Sequence, residues 1–99
     1  MHARVNTFQG SPDGVEASVE NVRQQVLPAA RQLEGFRGLI SLADRATGRE
    51  IGITLWESEE AMRASEEAGS RLRKETADAG GEEIVSVERF EVTLFELEE

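Results

Sequence analysis

The residues of this chain that could do chemistry are few, and two of them stand out by type and position. Asn6 lies within an alternating segment, between Val5 and Thr7, and a buried amide without partners costs roughly 1–3 kcal/mol. A ligand oxygen or dioxygen would satisfy it, and so would a loop backbone or solvent. Trp56 is the only tryptophan. Its indole offers an aromatic ligand a flat wall and one N–H donor, although a simple core role is compatible with the same position.

Proton transfer and ligand packing have weaker candidates. His2 is the only histidine, and an imidazole can move protons near neutral pH, but residues next to a chain end are often poorly ordered. A carboxylate is the other choice of base. The expected apolar contacts of a bound substrate are Phe8, Met62 and Leu72.

A basic run lies on the second predicted helix. Arg71, Arg73 and Lys74 could meet a carboxylate ligand, or they could form a solvated helix face paired with Glu66 and its acidic neighbours. The chain has no cysteine, which excludes disulfides, thiolate metal sites and cysteine nucleophiles. No metal-ligand spacing, phosphate loop or serine-histidine-acid arrangement occurs. We therefore expect neither a metal nor another cofactor.

Composition limits the classes of partner. Twenty acidic against 11 basic side chains give the 99 residues a net charge of −9, which repels nucleic acid and anionic membrane surfaces. Apolar runs of about three residues are far too short for a membrane span, and no signal-peptide core follows the first methionine. We expect a cytoplasmic protein with one domain over residues 1–99. On folding, so small a domain buries only roughly 60–65% of the surface that its unfolded chain exposes to water. Contact with a partner chain would bury more of this surface.

Alternation followed by helical periodicity predicts the first two elements. His2 to Gln9 is a predicted strand, and a helix follows with Ser11 as its side-chain N-cap and proline in its first turn. Pro28 predicts a kink or a tightened turn in this helix. Its apolar stripe comprises Val15, Val19, Val22 and Val26.

The middle of the chain reads as a hairpin. Phe36 to Ala43 and Arg49 to Trp56 are predicted strands, joined by a turn in which Gly48 can adopt a positive φ angle. Isoleucine and leucine alternate in the second strand with glycine, threonine and tryptophan. This pattern suggests a sheet that is covered on both faces.

The last third predicts a helix and a long strand. Ser58 is the expected N-cap of a helix that runs to Ala79 with a face of mostly small residues. The final extended run, from Glu83 to Leu97, changes its apolar phase twice, which predicts a bulge or a strand that leaves its own sheet for a neighbour's. The order βαββαβ is a ferredoxin-like α+β fold with two helices on one face of an antiparallel sheet. Two such sheets packed face to face in a homodimer would cover the other face.

Four short segments carry a family resemblance. The runs G-F-R-G (Gly35 to Gly38), T-G-R-E (Thr47 to Glu50) and T-L-W-E-S-E-E-A (Thr54 to Ala61), with V-L-P-A at Val26 to Ala29, resemble the antibiotic biosynthesis monooxygenase family. The resemblance covers almost the whole chain in the right order. It implies a dimeric α/β barrel with a pocket between sheet and helices.

Two chemistries follow from this resemblance. Some family members oxidise phenolic polyketides such as anthrones without a cofactor, and others bind and degrade heme in the same pocket. In the heme-degrading branch an asparagine on the first strand and a tryptophan ending the third shape the pocket, which Asn6 and Trp56 match. The histidine that ligates heme iron from the second helix has no counterpart between Glu59 and Ala79. The polyketide-oxidising branch resembles this chain at Asn6 and Trp56 as well, but it tends to place tyrosine around its substrate, and the chain has no tyrosine.

The sequence thus favours a monooxygenase-like protein that binds a small aromatic or apolar ligand, with Asn6 and Trp56 as its catalytic pair. Asn6 would orient a substrate oxygen or dioxygen, and Trp56 would form a pocket wall. One alternative is a non-catalytic dimeric module that binds a ligand without turnover. A second alternative is heme binding without the usual histidine.

Overall fold

The computed structural model describes residues 1–99, which form four strands and a series of helical segments. The strands are β1 (His2–Gln9), β2 (Phe36–Asp44), β3 (Arg49–Trp56) and β4 (Glu83–Glu91). The helices between β1 and β2 are α1 (Val15–Asn21) and α2 (Leu27–Ala30), and those between β3 and β4 are α3 (Glu59–Ala64) and α4 (Glu66–Gly80). This order confirms the ferredoxin-like α+β prediction.

All four strands join one antiparallel sheet in the order β2-β3-β1-β4. Asn6 pairs with Gly52 of β3 on one side and with Val87 of β4 on the other. Because side chains alternate across a strand, the even-numbered residues of β1 and β3 point to the helices. Arg4, Asn6 and Trp56 therefore belong to a single layer between sheet and helices.

The helical region before β2 widens where the sequence predicted a kink or a tightened turn. A single 3₁₀ turn (Pro12–Gly14) leads into α1, and a π-helical turn (Val22–Val26) connects α1 to α2. The Leu27 N–H donates to the Val22 carbonyl five residues back. A proline ring collides with the carbonyl four residues before it, so Pro28 is accommodated by a wider turn. Ser11 precedes the 3₁₀ turn in extended conformation, but its side chain makes no capping bond, contrary to the prediction.

The predicted second helix is interrupted once. The Ser58 hydroxyl accepts the Ala61 N–H at 3.1 Å, which confirms the predicted N-cap. Ser65 then separates α3 from α4, and its hydroxyl donates to the Met62 carbonyl at 2.7 Å. Such a local side-chain bond competes with the backbone ladder of a helix. Gly81 ends α4 with a φ of 64°.

The last strand is shorter than predicted and carries the predicted bulge. Thr7 pairs with Ser86 and Phe8 with Ile84, so Val85 is an extra residue in β4. The strand ends at Glu91, and the Val92 N–H donates to the Met1 carbonyl just beyond it. The following tail, residues 93–99, forms no strand, and its Leu94 and Leu97 are 82% and 79% exposed.

Only one face of the sheet is covered by this chain, so the expected second cover is not supplied from within it. The helices pack on the layer that contains Trp56, which is 1% exposed. On the opposite face large apolar side chains remain in contact with solvent, among them Ile40, Leu42 and Phe90 at 38%, 47% and 51% exposure. This apolar area is called the open face below.

None of the helices in the structure combines the length and apolar character that crossing a membrane requires.

Candidate functional site

A cavity lies between the helix-facing layer of the sheet and the surrounding helices. Its empty volume is about 600 Å³, including the mouth that opens to solvent. Seventeen residues line it, none of them acidic. The apolar part of the lining includes Phe8, Val22, Val26, Leu39, Trp56 and Leu72.

Trp56 forms one wall of this cavity from the end of β3. Phe36 contacts the indole edge to face, with ring centroids 5.5 Å apart and planes at 68°. The guanidinium carbon of Arg4 lies 5.5 Å from the centre of the indole ring, within the range of a cation–π interaction. The indole Nε1–H donates to the Thr54 hydroxyl at 3.0 Å. The indole N–H, which was expected to be a donor to a ligand, is therefore already bonded within the protein. Trp56 presents a flat apolar surface to the cavity.

Asn6 bridges the sheet and α4. It is 8% exposed, its Nδ2 donates to the Gly52 carbonyl at 2.9 Å, and its Oδ1 accepts Nη1 of Arg73 at 3.0 Å. The buried amide thus has protein partners on both ends, as the cost of leaving it unpaired requires. One N–H of the amide group has no partner among these bonds. Asn6 and Arg73 both line the cavity.

Arg4 is buried in the same layer at 2% exposure. Its Nη2 donates to the Met62 carbonyl at 2.8 Å, the Ser65 hydroxyl at 2.7 Å and Oε2 of Glu66 at 3.0 Å. The break between α3 and α4 thus supplies three acceptors to one guanidinium. Arg4 thereby connects the first strand to the helical layer and fixes the charge behind Trp56.

The charges around Arg4 are coupled. Arg89 of β4 donates to both oxygens of Glu66, at 2.9 and 2.6 Å. The hydrogen bond from Arg89 and then the contacts with Arg4 outweigh burial and lower the pKa of Glu66 to about 2. The carboxylate is therefore ionised across the physiological range.

The predicted site residues are brought together in part. Asn6, Trp56, Phe8 and Leu72 all line the cavity. Met62 does not, because its side chain is buried, at 3% exposure, elsewhere and only its carbonyl reaches Arg4. His2 is half-buried next to Trp56 in the register and is not part of the lining.

The basic run divides between two surfaces. Arg71 and Lys74 are exposed, and Lys74 pairs with Asp78 at 3.3 Å. Arg73 instead turns into the cavity. The glutamate expected to pair with this run, Glu66, binds Arg4 and Arg89.

Arg4 was not found by the sequence reasoning, although a signal was present. It has the same strand parity as Asn6 and Phe8, so a strand buried on that side must bury a charge as well. The partners that make this burial tolerable lie on a helix far along the chain. Only the folded structure identifies them.

The sheet order and the helices on one face give this chain the ferredoxin-like fold of antibiotic biosynthesis monooxygenases. No family model matches the sequence. The chain is similar to two uncharacterized proteins of Mycobacterium tuberculosis. It is 38% identical to Rv2558 over 77 residues, 78% of this chain and 33% of that protein. It is 35% identical to Rv2557 over 81 residues, 82% of this chain and 36% of that protein. The chain thus spans about a third of the length of the curated relatives it matches.

Solved structures of similar fold include a monooxygenase, a cofactor-independent oxygenase and a heme-degrader. The ActVA-Orf6 monooxygenase of Streptomyces coelicolor, in complex with nanaomycin D, superposes with a TM-score of 0.73 at 19% identity, over 99% of this chain and 92% of that one. SnoaB of Streptomyces nogalater, a cofactor-independent oxygenase, gives 0.63 at 20% identity, over 97% and 94%. The heme-degrader MhuD of M. tuberculosis, with two hemes bound, gives 0.62 at 25% identity, over 96% and 98%.

The residues around the cavity do not suit the ligation of heme iron. The lining contains no histidine, cysteine, tyrosine or methionine, and these are the side chains that hold heme iron in proteins. The single histidine, His2, lies outside the lining.

Proposed function

We propose that the cavity binds a small, largely apolar aromatic molecule, as in a protein of the antibiotic biosynthesis monooxygenase type. The observation that carries this proposal is the lining. An indole face and aliphatic side chains surround a few fixed polar groups, Asn6 and Arg73 among them. Ligand sites commonly combine an apolar wall with a small number of placed polar groups.

We propose that any reaction at this site is oxygenation by dioxygen without a cofactor. The lining offers two guanidinium groups and no carboxylate or imidazole, so it can stabilise an anion but has no protein base to create one. A suitable substrate must therefore ionise readily by itself, as an anthrone does. Loss of two hydrogens and uptake of one oxygen atom would convert its CH₂ group to a carbonyl, with the second oxygen leaving as water.

We propose further that the functional form is a homodimer in the cytoplasm. The open face would be buried between two copies of the chain, because apolar sheet surfaces of this kind are seldom left in water. The tail after β4 would lie along the neighbouring sheet.

Ligand binding can be tested by nuclear magnetic resonance, since the single tryptophan gives a single indole N–H signal. Naphthalene-2-carboxamide, a neutral planar probe, is expected to shift this signal in a saturable manner. Gly52→Val is expected to lower the affinity for the probe by about tenfold, because the added methyl groups fill part of the cavity. The protein itself tolerates this change, since a Cβ at position 52 meets only Phe8 Cε2, at 3.8 Å.

The matched control is Gly38→Val, in the neighbouring strand, where a Cβ meets Leu55 Cδ1 at 3.6 Å and the cavity is not involved. An indole signal that does not respond to the probe would contradict ligand binding. Oxygen uptake with 1,8-dihydroxyanthrone tests the reaction separately. Binding without protein-dependent uptake would identify a non-catalytic ligand-binding module.

A further inference from the structure

Two guanidinium groups, those of Arg4 and Arg73, line the cavity, and that of Arg89 lies outside the lining. Arg4 and Arg89 both bind Glu66, whereas Arg73 takes part in none of the ion pairs of the chain. No acidic residue lines the cavity. The wall therefore carries an excess of positive charge, although the chain as a whole has a net charge of −9.

Arg73 is held in place without being neutralised. Its Nη1 donates to the amide oxygen of Asn6 at 3.0 Å, and Asn6 is itself tied to the Gly52 carbonyl at 2.9 Å. Only one of the five N–H groups of the guanidinium is used in this way. The remaining donors of the half-buried side chain are available at the cavity.

The surroundings of Arg73 disfavour its positive charge. Burial lowers the pKa of Arg73, the charges of Arg4 and Arg89 lower it further, and Glu66 opposes them. A guanidinium nevertheless stays protonated, so an anion bound next to it would regain the lost interaction. A carboxylate fits this role because it can accept two parallel bonds from the guanidinium.

We propose that the ligand of this cavity is an aromatic carboxylate, with its carboxylate on Arg73 and its ring system against the indole of Trp56. Asn6 is then a positioning residue that aims the guanidinium. This inference rests on the proposed function, since it specifies the chemical class of the molecule in the same cavity.

The test compares naphthalene-2-carboxylate with naphthalene-2-carboxamide, two probes of the same shape that differ in charge. The dissociation constants are measured near neutral pH from the indole signal of Trp56. We expect the carboxylate to bind at least about tenfold tighter than the carboxamide. In Arg73→Gln this preference disappears, because the carboxylate loses its positively charged partner.

Two further variants sharpen the assignment. Asn6→Asp keeps the size of the side chain but loses the N–H that donates to the Gly52 carbonyl at 2.9 Å. It places a carboxylate where the amide oxygen lies 3.0 Å from Nη1 of Arg73, so it neutralises the guanidinium and abolishes the preference. Arg71→Gln is the matched control, because Arg71 is an exposed arginine on the same helix. It leaves both affinities unchanged.

The outcomes separate this inference from the proposed function. Equal affinities for the two probes overturn the inference but keep the cavity as a binding site, whereas no response to either probe contradicts both. A carboxylate preference that survives in Asn6→Asp also overturns it. If the spectrum of Arg73→Gln shows loss of folding, Arg73→Lys replaces it. The ammonium keeps the charge but cannot donate two parallel bonds to a carboxylate, so the preference falls, and an unchanged preference overturns the inference.

Discussion

Two carboxyl groups are buried at the end of β3 that lies opposite Trp56. Glu50 is 5% exposed, and the Ser18 hydroxyl donates to its carboxylate, 2.5 and 2.7 Å from the two oxygens. The carboxyl oxygens of Glu82 are buried beside it. Burial, and then a hydrogen bond with Glu50 and the negative charge of Glu50, raise the pKa of Glu82 to about 8. A like charge next to a desolvated carboxyl favours its protonated form.

This pair makes the stability of the fold depend on pH. The ordinary pKa of a glutamate is 4.5, so between pH 4.5 and about 8 the folded chain binds more protons at Glu82 than the unfolded chain does. The free energy of unfolding must therefore fall as the pH rises through this range. We expect a lower melting temperature above pH 8 than near pH 5, and a smaller difference in Glu82→Gln.

The control for this prediction is Glu83→Gln, at an exposed neighbouring position, which should keep the dependence of the wild-type chain. Glu66 acts in the opposite sense. Its pKa is lowered to about 2, so its contribution is present above pH 4.5 and is lost as the pH falls towards 2. If the melting temperature of Glu82→Gln falls as steeply as that of the wild type between pH 5 and pH 8.5, the pH dependence does not come from Glu82.

Among the secondary-structure elements, α4 determines how the sheet meets the helical layer. Gly69 faces the buried guanidinium of Arg4, and a Cβ at this position would lie 2.6 Å from its Nη1. Arg4 cannot move aside easily, because three acceptors hold its Nη2. The small residue is therefore required for close approach of helix and strand.

Gly69→Ala is expected to lower the free energy of unfolding by about 1 kcal/mol or more. Overpacking in a core costs about 1–3 kcal/mol, which exceeds the gain of up to about 1 kcal/mol from replacing glycine in a helix. Urea denaturation measures the difference. Ser70→Ala, at the next, exposed position, should be neutral or slightly stabilising, and a stabilised Gly69→Ala would show that Arg4 is not tightly held.

The elements that follow from local patterns could be predicted from the sequence, and those that depend on distant partners could not. The hairpin around Gly48 and the N-cap at Ser58 depend on neighbouring residues, so their signals are local. The break at Ser65 serves Arg4, which lies 61 residues away. The π-helical turn before Pro28 is one of several ways to accommodate a proline, and the apolar periodicity does not distinguish them.

The same distinction holds for the candidate site. Asn6 and Trp56 were predicted from residue type, strand position and family resemblance, and both line the cavity. The inward turn of Arg73 could not be read from its neighbours Arg71 and Lys74, because a run of basic residues does not indicate which of them points to the sheet. The hydrogen bond to Asn6 decides it.

For the whole molecule, the open face is an unfavourable feature, because it leaves apolar side chains in contact with solvent. Three successive rows of the sheet place apolar side chains on this face. The first contains Leu55, Ala3 and Phe90, the second Ile40, Ile53 and Val5, and the third Leu42 and Ile51. Leu55 and Ala3 are already buried within the single chain, and the other six are half-buried or exposed. Such contiguous apolar surface is typical of an interface between chains. A second copy of the chain presents the same surface, so a two-fold symmetric contact would cover both.

Sedimentation velocity at micromolar protein should therefore show a dimer, and Leu42→Glu should shift it to a monomer. Leu42 is 47% exposed, so a glutamate is tolerated by the single chain but would be buried unpaired in the contact, where a charge is strongly unfavourable. Ala17→Glu adds the same charge at an exposed position on α1 and should leave the dimer intact. A wild-type chain that sediments as a monomer at these concentrations would contradict the homodimer, and the open face would then have to be covered by a different chain.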